Sequence, residues 1–157
     1  MYVLLRQLSR IRRDADISVP KRRISAAMRH VDSGSCNGCE QELEALSNPF
    51  YDLQRYGITM VASPRHADIL VVTGTVTTRM EGPLRLAYGA MPEPRIVAAI
   101  GNCAIGAGVI GEAECLVGDV SMVLPVDIRI PGCPPTPDAI ASALLRALGE
   151  SSTSLPR

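Results

Sequence analysis

The sequence has few aromatic residues and no long apolar run. Trp is absent, Phe occurs once, and aromatic residues make up 3% of the 157 residues. Proteins that bind single-stranded nucleic acid usually stack the bases on aromatic side chains, so this composition argues against such a role. No apolar run reaches the roughly 18 residues that a membrane-spanning helix needs. We therefore expect a globular protein that binds no nucleic acid and does not span a membrane by itself.

Net charge is also absent, because 16 basic residues balance 16 acidic ones. Eight of the basic residues nevertheless fall in the first 30 positions. The apolar residues of this segment recur at helical spacing, which indicates a short surface helix or a basic amphipathic arm on a partner or a membrane surface. No long apolar segment follows its arginine pairs, so we expect no export signal and a cytoplasmic location. The sequence predicts a basic N-terminal arm over 1–28, a domain over 29–149 and a disordered tail over 150–157.

From residue 29 onwards, apolar β-branched segments alternate with helix-forming segments. The predicted strands are RHVDSG, ITMVAS, DILVVTGTV, RIVAAIG and LPVDIRIPG, and the predicted helices are EQELEAL, GPLRLAYGAM and TPDAIASALLRAL. We expect Pro83 in the first turn of the second helix, and Thr136 as the N-cap of the third with Pro137 at its first position. This alternation predicts an α/β fold, with a mostly parallel sheet and helices on both faces.

Four of the five cysteines fall at places where such a fold collects ligands. Cys36, Cys103 and Cys133 each follow a predicted strand, and Cys39 lies close to Cys36. Ligands of open parallel sheets bind outside the carboxyl ends of the strands, so loops that are remote in sequence would converge at one edge. In a cytoplasmic chain, such cysteines indicate metal or redox chemistry rather than structural disulfides. Cys115 is left over, and we expect it to be buried as a small apolar residue.

The cysteine spacing C-x2-C-x63-C-x29-C leaves several sites open. Four thiolates can hold zinc or an iron–sulfur cluster. Structural zinc sites usually use two close pairs of cysteines, whereas this chain has one close pair and two single cysteines. The spacing therefore favours an iron–sulfur cluster over zinc or no metal. A thioredoxin-type redox pair would open a long helix and need no further ligands, and the segment SCNGCEQE fits that alternative in part.

A nucleotide site is a further alternative. The segment GAGVIG, Gly106 to Gly111, matches the GxGxxG fingerprint, and Asp127 lies at a suitable distance beyond it. However, Asp127 opens a predicted strand instead of closing one, which would place it at the wrong edge of the sheet. Gly118 also interrupts the helix that should lie between them. A glycine-rich loop that packs over a cluster explains the same residues.

Four segments, in order, resemble a known family. They are GSCNGCEQELEAL, PRHADILVVTGTVTTRM, MPEPRIVAAIGNCAIGAG and LPVDIRIPGCPPTPDAI. The resemblance, which runs from about Ser33 to Leu148, is to the 20 kDa iron–sulfur subunit family of respiratory complex I. That family includes the small subunits of energy-converting, membrane-bound nickel–iron hydrogenases and of formate hydrogenlyase. The resemblance implies a flavodoxin-like domain that binds one 4Fe–4S cluster through Cys36, Cys39, Cys103 and Cys133.

The resemblance also implies partners and a role. The chain would be an electron-transfer subunit, not catalytic alone, beside a large catalytic subunit, a ferredoxin-type iron–sulfur subunit and membrane subunits. It would lie at the inner face of the cell membrane. Complex I members carry two adjacent cysteines at the first motif, so Cys36-Asn37-Gly38-Cys39 resembles the hydrogenase branch. The alternative is a complex I-like subunit that passes electrons to quinone, near a predicted loop that contains Arg79 and Met80.

Acidic residues follow the first cysteine pair. Glu40 and Glu42 are the charges nearest to it in sequence, and an anion there should disfavour the reduced, more negative cluster. Both also favour the positive N-terminal end of the predicted helix. In the family that the chain resembles, an acidic residue close to the second cysteine is often linked to proton transfer. The resemblance makes Glu42 a candidate for that role.

Overall fold

The computed structural model describes residues 25–109 and 113–149. Its strands are β1 (Ala26–Asp32), β2 (Ile58–Met60), β3 (Ile69–Thr73), β4 (Val76–Thr77), β5 (Ile96–Ile100), β6 (Leu116–Gly118) and β7 (Ile128–Ile130). Five of them form one parallel sheet in the order β2-β1-β3-β5-β7. Counted along this sheet alone, the order is 2-1-3-4-5, which is that of flavodoxin-like folds. The predicted α/β, flavodoxin-like architecture is confirmed.

The central strand β3 is buried along its whole length. Its side chains alternate between the two faces of the sheet, with Ile69 and Val71 in one apolar cluster and Leu70 and Val72 in the other. A parallel strand that is covered on both faces has no solvent side, so its sequence is a continuous apolar run. This is why the segment DILVVT predicts a strand so clearly.

Helices cover both faces of the sheet. They are α1 (Gly38–Ala45), α2 (Thr78–Ala90) and α3 (Pro137–Ala147). Leu43 of α1 and Ile140 of α3 pack in one apolar cluster, and Leu84 of α2 packs in the other. The start of α3 is as predicted, because Thr136 Oγ1 accepts a bond from the Ala139 amide at 3.4 Å and Pro137 follows the cap. None of the helices described over 25–109 and 113–149 is long and apolar enough to cross a membrane.

The prediction for the second helix is wrong at its start. Helix α2 begins at Thr78, so Pro83 lies inside it instead of in the first turn. Arg79 and Met80, which the sequence assigns to a loop, belong to the first turn of α2. The reason is a contact remote in sequence: the amide of Thr78 donates to the carbonyl of Cys115 at 2.9 Å. This bond lies beside the short antiparallel ladder of β4 and β6, which local patterns do not predict.

The predicted domain limits are only partly within the described residues. Strand β1 begins at Ala26, inside the segment 1–28 that the sequence assigns to the basic arm. Residues 1–24, which hold the rest of that arm, lie outside the described residues. The predicted tail over 150–157 lies outside them too. The arm and the tail therefore stay predictions.

Two aspartates close the amino-terminal edge of the sheet in the same way. Asp68 stands before β3, where its Oδ2 accepts from the Ala27 amide at 2.9 Å and its own amide donates to the Ala27 carbonyl at 2.7 Å. Asp127 stands before β7 and makes the same pair of bonds with Val97, at 2.8 and 3.0 Å. Each carboxylate thus gives an acceptor to the amide of the second residue of a neighbouring strand. Asp127 therefore has a structural role at the edge opposite the cysteine loops.

We expect Asp127→Ala to lower the free energy of unfolding by about 1 kcal/mol, because the Val97 amide loses a charged acceptor. Urea denaturation measures the change. Asp127→Asn keeps an acceptor and should lose less. Equal stability of the alanine variant and the unmodified protein would contradict this role.

Candidate metal centre

The four candidate cysteines lie on three loops at the carboxyl-terminal edge of the parallel sheet. Cys36 lies between β1 and α1, and Cys39 is the second residue of α1. Cys103 follows β5 and Cys133 follows β7. Cys36 and Cys133 are exposed, Cys39 and Cys103 are half-buried, and all four thiols are free. The sheet thus brings together, at one edge, the residues that the sequence analysis selected.

The loops of Cys103 and Cys133 are bonded directly to each other. The amide of Asn102 donates to the Gly132 carbonyl at 2.8 Å, and the Gly132 amide donates to Asn102 Oδ1 at 2.8 Å. The Gly101 amide also donates to the Ile130 carbonyl at 2.8 Å. These bonds fix the position of one cysteine loop relative to the other. The sequence analysis missed Asn102, since only its position before Cys103 could have suggested a role.

The first cysteine loop is held by short polar side chains. Asp32 Oδ1 accepts from the amides of Gly34 and Ser35, at 2.9 and 2.8 Å. The fully buried hydroxyl of Ser33 donates to the Thr73 carbonyl at 2.7 Å. These bonds satisfy the backbone where β1 ends and anchor the loop to β3. The loop therefore leaves the sheet in a fixed direction just before Cys36.

Two glycines allow the sulfur atoms to lie against the backbone. Gly101 has a φ of +90°, and a Cβ atom there would lie 2.5 Å from Cys39 Sγ. At Gly108, a Cβ atom would lie 2.7 Å from Cys103 Sγ. Real Cβ atoms do not approach other atoms so closely, so any side chain at these positions would displace a candidate ligand. The absence of a side chain at these two glycines thus lets the sulfur atoms of Cys39 and Cys103 lie against the backbone.

The electrostatics of the four thiols are coupled. The pKa of Cys39 is raised to about 11, chiefly by burial and in addition by the nearby Glu40 carboxylate and the three other candidate cysteines. Burial also raises the pKa of Cys103, and Cys133 and Cys36 add to the effect, whereas a hydrogen bond with Thr75 opposes it. The thiols are therefore near enough to resist joint deprotonation. Binding of a cationic metal centre would remove this resistance, so the donor set fits such a group.

Two further observations concern the cysteines. Within residues 25–109 and 113–149, no three His, Cys, Asp or Glu side chains are grouped so that they could hold a single metal ion. Cys115, which we expect to be buried, is exposed. It stands before β6, in the turn whose carbonyl accepts from the Thr78 amide, so its side chain is not needed in either apolar cluster. The expectation of burial is wrong.

The two acidic candidates occupy different places on α1. Glu42, the residue that the resemblance links to proton transfer, is half-buried. Glu40 lies against the sheet, where the Thr73 hydroxyl donates to its Oε1 and His30 Nε2 lies 3.6 Å away. The sequence alone places both carboxylates near the first cysteine pair and near the start of the predicted helix. It gives no sign of the contacts that Glu40 makes with His30 and Thr73, which no local motif marks.

The glycine-rich segment after Cys103 does not have the surroundings of a nucleotide site. Within the segment from Gly106 to Gly111, residues 110 and 111 are outside the described part of the chain. Gly108 packs on Cys103, and Asp127 lies at the opposite edge of the sheet. A cavity of about 760 Å³ opens beside Cys103 and is lined in part by Gly106 and Asp119. The described part of the loop is therefore next to the candidate metal centre.

The chain matches one protein family over most of its length. The family described as NADH ubiquinone oxidoreductase, 20 Kd subunit, matches residues 36–147. This range includes all four candidate cysteines and extends to the last residue of α3. The match therefore covers the candidate metal centre as well as the strands and helices that position it.

Individual relatives include a hydrogenase subunit and a formate hydrogenlyase subunit. A probable membrane-bound hydrogenase subunit, mbhJ, of Pyrococcus furiosus is 47% identical over 119 residues, which are 76% of this chain and 71% of the relative. Formate hydrogenlyase subunit 7 of Escherichia coli is 45% identical over 125 residues, 80% of this chain but only 49% of the relative. This chain therefore spans about half the length of the second relative.

One similar solved structure is the membrane-bound sulfane sulfur reductase, described as an archaeal respiratory membrane complex. A chain of that complex has 31% sequence identity to this one and a TM-score of 0.70. The likeness covers 80% of this chain and 70% of the other. The backbone of this chain is thus similar to that of a chain from a respiratory membrane complex.

We expect Gly101→Ala to lower the free energy of unfolding by about 2 kcal/mol, since the new methyl group meets Cys39 Sγ and the backbone has a positive φ. Gly82→Ala is the matched control, because open space surrounds Gly82 on the exposed side of α2. That variant should gain about 0.5–1 kcal/mol from helix propensity. Urea denaturation of both variants checks the difference, and equal effects would contradict the close approach.

The raised pKa of Cys39 predicts slow alkylation in the metal-free protein. With a pKa of about 11, Cys39 is mostly protonated at pH 9, where a thiol with the ordinary value of 9.0 is half ionised. Because only the thiolate reacts, we expect alkylation by iodoacetamide at least about tenfold slower than in an unstructured cysteine peptide. Mass spectrometry of timed samples measures the rate, and urea should abolish the difference. An equal rate in the folded protein would be inconsistent with the raised pKa.

Proposed function

Because the chain belongs to the NADH ubiquinone oxidoreductase 20 kDa subunit family, we propose that it is an electron-transfer subunit that carries one 4Fe–4S cluster. The ligands in this proposal are Cys36, Cys39, Cys103 and Cys133. The observation that carries it is the meeting of these four free, electrostatically coupled thiols at one edge of the sheet. When bound, such a cluster gains and loses one electron at a time.

The residues around the thiols have distinct tasks in this proposal. The four cysteines bind iron as thiolates. Gly101 and Gly108 leave room for two of the sulfur atoms, and the bonds between Asn102 and Gly132 keep two ligand loops in register. The apolar cluster against which Cys39 packs excludes water from one side of the site. Burial and polar groups around sulfur are the protein's usual means of control over a cluster potential.

The proposed setting is a membrane-associated, hydrogenase-like complex. Two of the relatives are named as a probable membrane-bound hydrogenase subunit and a formate hydrogenlyase subunit. The two residues between Cys36 and Cys39 also favour the hydrogenase branch. A large catalytic subunit would carry the substrate chemistry, and a ferredoxin-type subunit and membrane subunits would complete the complex. In that setting the chain is peripheral to the inner face of the membrane.

A complex I-like subunit is the second candidate. The family name, that of an NADH ubiquinone oxidoreductase subunit, favours it. In this alternative the partner would hold quinone, and Arg79, exposed in the first turn of α2, would be available to contact that partner. The large subunit distinguishes the two candidates, since a hydrogenase partner must supply nickel ligands.

Two less favoured alternatives use the same residues differently. A zinc scaffold would gather the four sulfur atoms around one ion, whereas in a 4Fe–4S cube each cysteine binds a different iron. A nucleotide-dependent oxidoreductase would use the segment from Gly106 to Gly111 and would keep its cofactor in a Cys103→Ala variant. Metal analysis separates both alternatives from the cluster.

We expect serine at any one of the four ligands to remove the cluster. The complex is purified without oxygen, and iron and acid-labile sulfide are measured for each variant. Each ligand variant should lose about four iron and four sulfide per complex relative to the unmodified complex, together with one paramagnetic signal of the reduced state. Cys115→Ser is the matched control and should lose none of these.

Three results would decide against the proposal. Zinc in place of iron would favour the scaffold. An unmodified complex without a reducible cluster on this subunit would exclude the electron-transfer role. Loss of the cluster in Cys115→Ser would mean that the ligand assignment is wrong.

A further inference from the structure

A buried polar network joins helix α1 to the sheet behind Cys39. The Thr73 hydroxyl, at the end of β3, donates to Oε1 of Glu40. His30 Nε2, on β1, lies 2.8 Å from Thr73 Oγ1 and 3.6 Å from Glu40 Oε1. The side chains of Glu40 and His30 are only 17% and 24% exposed. Three separate segments thus hold the carboxylate of Glu40 on the inner side of α1.

The hydrogen bonds of this network determine which group donates the proton in each bond. A threonine hydroxyl has one proton, and Thr73 gives it to Glu40, so the Nε2 of His30 must carry the proton that it donates to Thr73. Burial lowers the pKa of His30, against the opposing effect of the Glu40 and Asp32 carboxylates, so the imidazole is neutral near pH 7. His30 therefore orients Thr73 without neutralising Glu40.

The negative charge of Glu40 is close to a proposed ligand. Glu40 follows Cys39 directly, and among charged groups its carboxylate has the largest effect in raising the pKa of the Cys39 thiol. Within the described residues, its second oxygen, Oε2, is buried and has no hydrogen-bond partner. Among the ion pairs of the described residues, Glu40 is paired with His30 alone, and His30 is neutral near pH 7. No cationic side chain in these pairs therefore offsets the charge of Glu40. An uncompensated charge in a partly buried place acts more strongly on its neighbours than a solvated one.

We propose that Glu40 lowers the reduction potential of the cluster, and that Thr73 and His30 are positioning residues that hold its carboxylate beside Cys39. This inference rests on the proposed function. Reduction adds one electron to the cluster, forms and breaks no bond, and makes the site more negative by one charge. A fixed anion nearby opposes that added charge, so the oxidised state is favoured. Glu42 and Glu44, on the same helix, have no comparable bond to the sheet among the described contacts.

The test is a redox titration of the intact complex, with dithionite as the reductant and the paramagnetic signal of this cluster as the readout, at one fixed pH. Glu40→Gln keeps the size of the side chain and an acceptor for Thr73, and it removes the charge. We expect the ratio of reduced to oxidised cluster at a given ambient potential to rise about tenfold, which is about 59 mV for a one-electron couple. Glu44→Gln, an exposed change on the same helix, is the matched control and should change the ratio by less than about twofold.

A second variant tests the positioning role. Thr73→Val keeps the charge of Glu40 but removes the hydroxyl that holds it. We expect a rise in the same direction that is smaller than that of Glu40→Gln, with the iron content unchanged. If Glu40→Gln and Glu44→Gln have equal potentials while the cluster is intact, the inference is wrong and the proposed function stands. If the unmodified complex has no cluster on this subunit, both are wrong.

Discussion

The burial of β3 on both faces is the constraint from which the rest of the structure follows. An apolar strand without a solvent side must have neighbours on each edge and layers on each face. Here β1 and β5 pair with the two edges of β3, and the two apolar clusters cover its two faces. Since all five strands of this sheet run the same way, their carboxyl ends share one edge. The cysteine loops therefore meet without any local motif that joins them.

The two edges of the sheet use polar groups for different purposes. At the amino edge, Asp68 and Asp127 each accept a hydrogen bond from an amide near the start of a neighbouring strand. At the carboxyl edge, Ser33, Thr73 and Asn102 bond the loops that bear the cysteines. The first arrangement stabilises the fold. The second arrangement fixes the direction in which the cysteine loops leave the sheet, and it thereby determines the shape of the candidate site.

Much of the fold, and the edge of the sheet at which the four candidate cysteines lie, could be predicted from the sequence, because the signals are local. Apolar runs such as that of β3 indicate buried parallel strands, and the close pair Cys36 and Cys39 stands out by spacing alone. The contacts that no local pattern contains could not be predicted. The start of α2 depends on a bond to the Cys115 carbonyl, whereas Glu40 depends on His30, ten residues before it, and on Thr73, 33 residues beyond it. The burial of Cys115 was wrongly predicted for the same reason, because composition does not reveal a short ladder at a domain edge.

The position of Cys133 has a consequence for the order of biosynthesis. This residue follows β7, the last strand of the described sheet along the chain, and within residues 25–109 and 113–149 β7 pairs with β5 alone. During translation the first three thiols therefore leave the ribosome well before the fourth can take its place. Parallel strands with long crossovers also pair slowly, since the chain must close a large loop before the contact is made. A cluster held by the four proposed ligands would accordingly be inserted only after β7 has joined the sheet, which would make insertion a late step of maturation.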